Sequence, residues 1–165
     1  MAPCILVVDD ESAIRWSVAE HLRSEGYQAY EAENIAQARE IVARTPIDLA
    51  LLDQRLPDGN GMDLLGEFRA IQPGFPVIMV TAFSSVDNAV AAMRLGAYDY
   101  VTKPFNLDEL SITVARALEA SSLRTRLSDE VSEGKKRFGL ANIVGNSPAI
   151  NQIKNLVRKI VQSDA

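Results

Sequence analysis

Four short apolar runs lead into side chains that could do chemistry together. "CILVV" (4–8) is followed by Asp9, Asp10 and Glu11, "DLALL" (48–52) by Asp53, "PVIMV" (76–80) by Thr81, and "YDYV" (98–101) by Lys103 one residue further on. Carboxylates gathered without a counterion repel one another, so a cleft that holds several calls for a cation. Oxygen-only donors favour Mg2+, which takes octahedral coordination at about 2.0–2.1 Å and keeps waters that a phosphoryl oxygen can replace. Such a cation and the Lys103 ammonium would neutralise a transferring phosphoryl group, and a carboxylate fixed beside them can attack it to give an acyl phosphate. Each residue alone has a plainer explanation. Asp9 to Glu11 can open a helix favoured by its dipole, Thr81 can cap a helix, Lys103 can be solvated, and Asp58 and Asp63 read as turn and helix-start residues. Recurrence at four strand ends is what favours a shared site.

Strands and helices must alternate for those ends to meet. With "QAYEA" (28–32), the runs make five strand candidates, of which the first, third and fourth are continuous rather than alternating, as in strands buried on both faces. Between and after them lie apolar stripes of helical period: Ile14, Val18 and Leu22; Ile35, Ala38 and Ile41/Val42; Leu64, Leu65, Phe68 and Ile71; Val86, Val90 and Met93. Gly26 and Gly96 stand where left-handed helix ends belong, and Asn34 with Gln37 and Asn106 with Glu109 have capping-box spacing. Repeated β-then-α units with short connections predict a flavodoxin-like (βα)5 fold, a doubly wound parallel sheet of strand order 2-1-3-4-5 with a C-terminal helical extension. In that order ligands bind at the carboxyl ends of the strands, between the first and third.

Composition narrows the classes further. The chain has 165 residues, 47% of them apolar, enough for one packed domain and an extension. No run approaches the roughly 18 apolar residues that span a bilayer, and no basic segment leads into an apolar signal stretch, so a soluble, cytoplasmic chain without membrane association is expected. Cys4 is the sole cysteine and lies in an apolar run, which excludes a disulfide framework. "DDESAIRW" after the first strand lacks the G-x-G-x-x-G of a dinucleotide site, and no G-x-x-x-x-G-K-[ST] loop occurs. Residues 1–120 hold nine basic against eighteen acidic side chains, whereas residues 121–165 hold eight against four, so the chain changes character near residue 120.

"ILVVDDE", "LLDQRLPDGNGMDLL", "VIMVTA" and "GAYDYVTKPF" resemble, in order and spacing, the receiver domains of two-component response regulators, over residues 3–120. The resemblance implies that Asp53 is the phosphoacceptor for a sensor histidine kinase. It implies Mg2+ held by Asp10 directly, by Asp9 through water, by Asp53, and by the backbone carbonyl of Arg55. Lys103 would bind phosphoryl oxygens, with the Lys103–Pro104 peptide cis; Thr81 would hydrogen-bond the phosphoryl group, and Tyr100 would be the aromatic switch that follows it. No turnover enzyme is implied for this stretch. Two other classes stay open: a Mg2+-dependent phosphohydrolase, which would want an acid/base carboxylate where Arg55 stands, and an interaction domain with a vestigial acidic cleft.

From Asn106 no helix stop is evident before Gly134, and Leu123, Leu127 and Val131 carry an apolar line past the domain's end, which predicts a homodimer through the linker helix. The family resemblance adds the face of the fourth helix, fifth strand and fifth helix, both as the relay surface and as a second part of the homodimer contact. The expected organisation is a receiver domain at 1–120, a helical linker at 121–139 and, at 140–165, the truncated start of an AAA+ ATPase domain. That last stretch, with Ser147 and Pro148 opening an amphipathic helix, resembles NtrC-type, sigma-54-dependent transcription activators. ATP hydrolysis, DNA binding and contact with sigma-54 RNA polymerase are thereby implied for a longer parent. The basic Lys135, Lys136 and Arg137 are too short a patch to imply direct nucleic-acid binding here.

Overall fold

The computed structural model describes residues 2–82 and 85–137, with side chains described through residue 128. The elements run β1 (Cys4–Val8), α1 (Ser12–Ser24), β2 (Gln28–Ala32), α2 (Ile35–Arg44), β3 (Leu49–Leu52), β4 (Arg55–Leu56) and β5 (Gly59–Asn60). They continue with α3 (Gly61–Ile71), β6 (Val77–Thr81), α4 (Val86–Leu95), β7 (Asp99–Thr102) and α5 (Leu107–Arg137). Five strands form one sheet in the order β2-β1-β3-β6-β7, every pair parallel. With the two-residue hairpin strands β4 and β5 set aside, this is the expected 2-1-3-4-5 order.

The continuous apolar strands are buried on both faces because successive side chains alternate between two clusters. Leu6, Val8, Ala50, Leu52, Val77 and Met79 face Ile35 and Ala38 of α2, Leu64, Leu65 and Phe68 of α3, and Ala92 of α4. Ile5, Val7, Leu49, Leu51, Ile78 and Val80 face Val18 and Leu22 of α1 and Leu110, Val114 and Ala117 of α5. Phe68 and Phe75 add an edge-to-face pair with centroids 5.5 Å apart. At about 25 cal/mol per Å2 of apolar surface removed from water, these two layers are the main stabilising term.

Helix ends follow their local chemistry. Gly26 and Gly96 adopt φ of 91° and 97°, values that cost glycine nothing. The Asn34 side chain accepts the Gln37 N–H at 2.8 Å, while Gln37 Oε1 accepts the Glu33 N–H at 3.0 Å. Asn106 Oδ1 takes the Asp108 and Glu109 N–H groups at 2.8 and 3.4 Å.

Several expectations shift. The third, fourth and fifth sheet strands begin one residue later than their apolar runs, and Thr81 lies inside β6, paired with Thr102 of β7. On α4 the core contact is made by Ala92, while Val86, Val90 and Met93 are 80%, 44% and 49% exposed. Ile71 likewise faces solvent at the end of α3. Gly134 does not end α5, which runs on to Arg137. Leu110 and Val114 face the sheet, Leu123 and Leu127 are exposed, and the side chain of Val131 lies outside the described residues. So does the stretch 140–165 with Ser147 and Pro148.

Candidate functional site

The carboxyl ends of β1 and β3, neighbours at the point where the sheet order reverses, carry Asp9 and Asp53. Each is pinned by a ladder bond: the Asp9 N–H donates to the Ala32 carbonyl at 3.1 Å and the Asp53 N–H to the Val8 carbonyl at 2.9 Å. One oxygen of each carboxylate also caps its own loop. Asp9 Oδ1 accepts the Glu11 N–H at 2.9 Å, and Asp53 Oδ1 accepts the Arg55 N–H at 3.2 Å. The other oxygens converge on one ammonium, with Lys103 Nζ lying 2.7 Å from Asp9 Oδ2 and 2.8 Å from Asp53 Oδ2. Glu11 Oε1 reaches the same nitrogen at 3.1 Å.

Lys103 follows β7 and is tied to β6 by its N–H, which donates to the Thr81 carbonyl at 2.8 Å; the peptide to Pro104 is cis. Asp9, Asp53 and Thr81 are 4%, 6% and 0% exposed, a burial that makes their charges and dipoles count. Burial pushes the Asp9 carboxyl above its ordinary range, against the pull of the Lys103 hydrogen bond. For Lys103, burial works against the charged form, but hydrogen bonds to Asp53 and Asp9 outweigh it and hold the proton more tightly than an ordinary lysine does. Lys103 is therefore a permanent cation here.

Asp10 is exposed beside this pair, and Asp9, Asp10 and Asp53 each offer a carboxylate oxygen within 4.8 Å of the others. Three carboxylates against one ammonium leave negative charge uncompensated. An all-oxygen donor set suits a hard divalent cation better than zinc, whose protein sites usually include nitrogen or sulfur ligands. Arg55, two residues past Asp53, opens β4 opposite Asn60. Tyr100, half-buried against the core, donates its hydroxyl to Gln54 Oε1 at 3.4 Å; burial first, and the Asp53 charge second, push its phenol up.

Further residues outside the sequence-based set support the site. Arg15 Nη1 donates to the Asp9 carbonyl at 2.6 Å and lies within an ion-pair chain through Glu31 to Arg23. The Gly61 N–H donates to the Gln54 carbonyl at 2.8 Å, and a Cβ at Gly61 would collide with the Asp53 carbonyl oxygen. Arg15 left only the signal of its "ESAIRW" context, while the crowding at Gly61 becomes visible only in three dimensions.

A flavodoxin-like parallel sheet with a buried, lysine-paired carboxylate cluster at its switch point defines the class, a doubly wound α/β domain. The response regulator receiver domain model matches residues 5–115, and the chain belongs to that family, the receiver modules of two-component signalling. The alginate biosynthesis transcriptional regulatory protein AlgB of Pseudomonas putida is 39% identical over 161 residues, covering 98% of this chain and 36% of its own length. The chain thus spans about a third of such relatives. NtrX from Brucella abortus, crystallised with ADP, is similar in fold with a TM-score of 0.74 at 34% identity, covering 97% of this chain and 34% of that one. The solution structure of the beryllofluoride-activated NtrC4 receiver domain dimer has a TM-score of 0.69 at 33% identity, covering 72% of this chain and 98% of that one. Among the described residues no helix is long and apolar enough to cross a membrane.

Proposed function

We propose that this chain is the phosphoacceptor part of a cytoplasmic transcriptional regulator, with Asp53 taking a phosphoryl group from a phosphohistidine on a sensor kinase. The observation that carries the reading is the buried Asp53 carboxylate 2.8 Å from an ammonium that Asp9 also grips. An oxygen of Asp53 attacks phosphorus in line as the phosphorus–nitrogen bond of the donor breaks, and the product is an acyl phosphate. Lys103 pairs with phosphoryl oxygens, offsetting the added charge of about −1.5 to −2. Asp9, Asp10, Asp53 and the Arg55 carbonyl would hold Mg2+, which supplies further neutralisation of the phosphoryl charge. Thr81, at the end of β6, offers its hydroxyl to the same group.

The output surface of this reading is the face of α4, β7 and α5. Val86, Val90, Met93 and Leu95 on α4 and Ile112 on α5 are exposed apolar side chains, which a partner on this face would cover. Tyr100 of β7, bonded to the residue after Asp53, is the natural relay. Residues 121–139 act as a helical linker that pairs with a second copy through Leu123 and Leu127, and residues 140–165 begin an AAA+ domain. The match to AlgB over nearly the whole chain and the dimeric state of the NtrC4 receiver support this organisation. ATP hydrolysis, sigma-54 contact and DNA binding then belong to the parent and not to this stretch.

The test is intact mass after incubation with acetyl phosphate, with and without Mg2+. One phosphoryl group is expected on the wild type with Mg2+ and none on Asp53→Asn; labelling of that variant at the wild-type rate would overturn the assignment.

A further inference from the structure

The turn that leaves Asp53 is seated on a different helix. Asp58 lies between β4 and β5, and its two carboxylate oxygens accept backbone N–H groups from the first turn of α2: Oδ1 from Ile35 at 2.9 Å and Oδ2 from Ala36 at 3.0 Å. Asn34 takes the Gln37 N–H, so side chains satisfy the N–H groups of residues 35–37 at the start of that helix, two of the three through Asp58 of the hairpin. The contact is close throughout. A Cβ at Gly59 would lie 2.8 Å from Ile35 Cδ1, and Leu56 and Ile35 are buried in the same apolar cluster. At its other end the segment is tied to the site, through the Arg55 N–H to Asp53 Oδ1 and the Gly61 N–H to the Gln54 carbonyl.

We propose that Asp58 is a positioning residue for the phosphoacceptor site: by docking the hairpin on the N-terminus of α2, it fixes the backbone of residues 54–56 so that the Asp53 carboxylate and Arg55 carbonyl keep their places around the cation. The proposal rests on the phosphoacceptor reading of Asp53. Because coupling between two sites is reciprocal, filling the cation site also tightens the hold of Asp58 on the Ile35 and Ala36 amides. A mere helix cap would stabilise α2 and leave cation binding alone.

Asn34 provides the control, since Asn34→Ala removes a cap from the same helix end while leaving both Asp58 hydrogen bonds in place. The full chain and its Asp58→Ala, Asp58→Asn and Asn34→Ala variants are compared by Mg2+ calorimetry, by the rate of acetyl phosphate labelling across Mg2+ concentrations, and by amide exchange at Ile35 and Ala36. For Asp58→Ala, Mg2+ binding weakens on the order of tenfold, the cost typical of losing a support behind a metal ligand. Its labelling slows at low Mg2+ and recovers at saturating Mg2+, and Asp58→Asn, with one acceptor oxygen left, falls between it and the wild type. In the wild type, Mg2+ slows exchange at Ile35 and Ala36; in Asp58→Ala that response is lost, and Asn34→Ala binds Mg2+ as the wild type does. Unchanged Mg2+ affinity in Asp58→Ala, or an equal loss in Asn34→Ala, would overturn the proposal and leave Asp58 a cap only. A wild type that binds no Mg2+ would overturn the phosphoacceptor reading itself.

Discussion

Lys103 is shared by three carboxylates, and that sharing sets opposite expectations for its removal. Lys103→Met takes away the ammonium that offsets phosphoryl charge, so labelling by acetyl phosphate should slow on the order of 10²-fold, the usual cost of losing one charge-stabilising donor. It also takes away the built-in competitor for the carboxylates, so Mg2+ should bind more tightly by calorimetry; weaker binding would mean the lysine helps assemble the cation site. Gly61 is a matter of space. Gly61→Ala drives a Cβ into the Asp53 carbonyl and should cost about 1–3 kcal/mol in urea unfolding, as overpacking does. Asp9, Asp53 and Lys103 were legible because each stands just beyond an apolar run. Arg15 and Asp58 were not, because they act on backbone atoms of other segments, which no side-chain pattern records.

The elements show the same division. Strands buried on both faces announce themselves as continuous Val, Ile and Leu, and the sheet order followed from five β-then-α units. The β4–β5 hairpin did not, because a two-residue pairing across Pro57 and Asp58 has no periodicity to read. On α4, Val86, Val90 and Met93 have the spacing of a core stripe, yet small Ala92 makes the core contact. A helical period says that a face is apolar, not what covers it. For α2 the ion pairs and caps carry a pH signature. Bonding to the Ile35 N–H above all, and Arg39 for Glu67, hold the Asp58 and Glu67 carboxyls below their ordinary range. Groups so lowered add stability that is full above about pH 5 and is lost as pH falls through about 4 toward their native values. Urea midpoints measured from pH 6 to pH 2 should fall more steeply for the wild type than for Asp58→Asn with Glu67→Gln; parallel curves would deny the contribution.

At the scale of the molecule, a cation that binds only the folded chain stabilises it by mass action. Mg2+ at a hundred times its Kd should add about 2.7 kcal/mol and raise the Tm, and Asp10→Asn should blunt the rise; an unchanged wild-type Tm would argue against a folded-state cation site. α5 runs to Arg137, and its Leu123 and Leu127 are exposed. If those side chains pair with a second copy, sedimentation over a concentration series should show a dimer that deletion of residues 121–165 abolishes, and equal monomeric behaviour would reject the linker interface. The central claim concerns one atom, an oxygen of Asp53 as the phosphoryl acceptor. Borohydride reduction after acetyl phosphate treatment, followed by peptide sequencing in the mass spectrometer, tests it most directly, because hydride converts an aspartyl phosphate to homoserine. Homoserine at position 53, dependent on Mg2+, is the result predicted; an unreduced Asp53 with homoserine or a stable phosphate elsewhere would contradict the account.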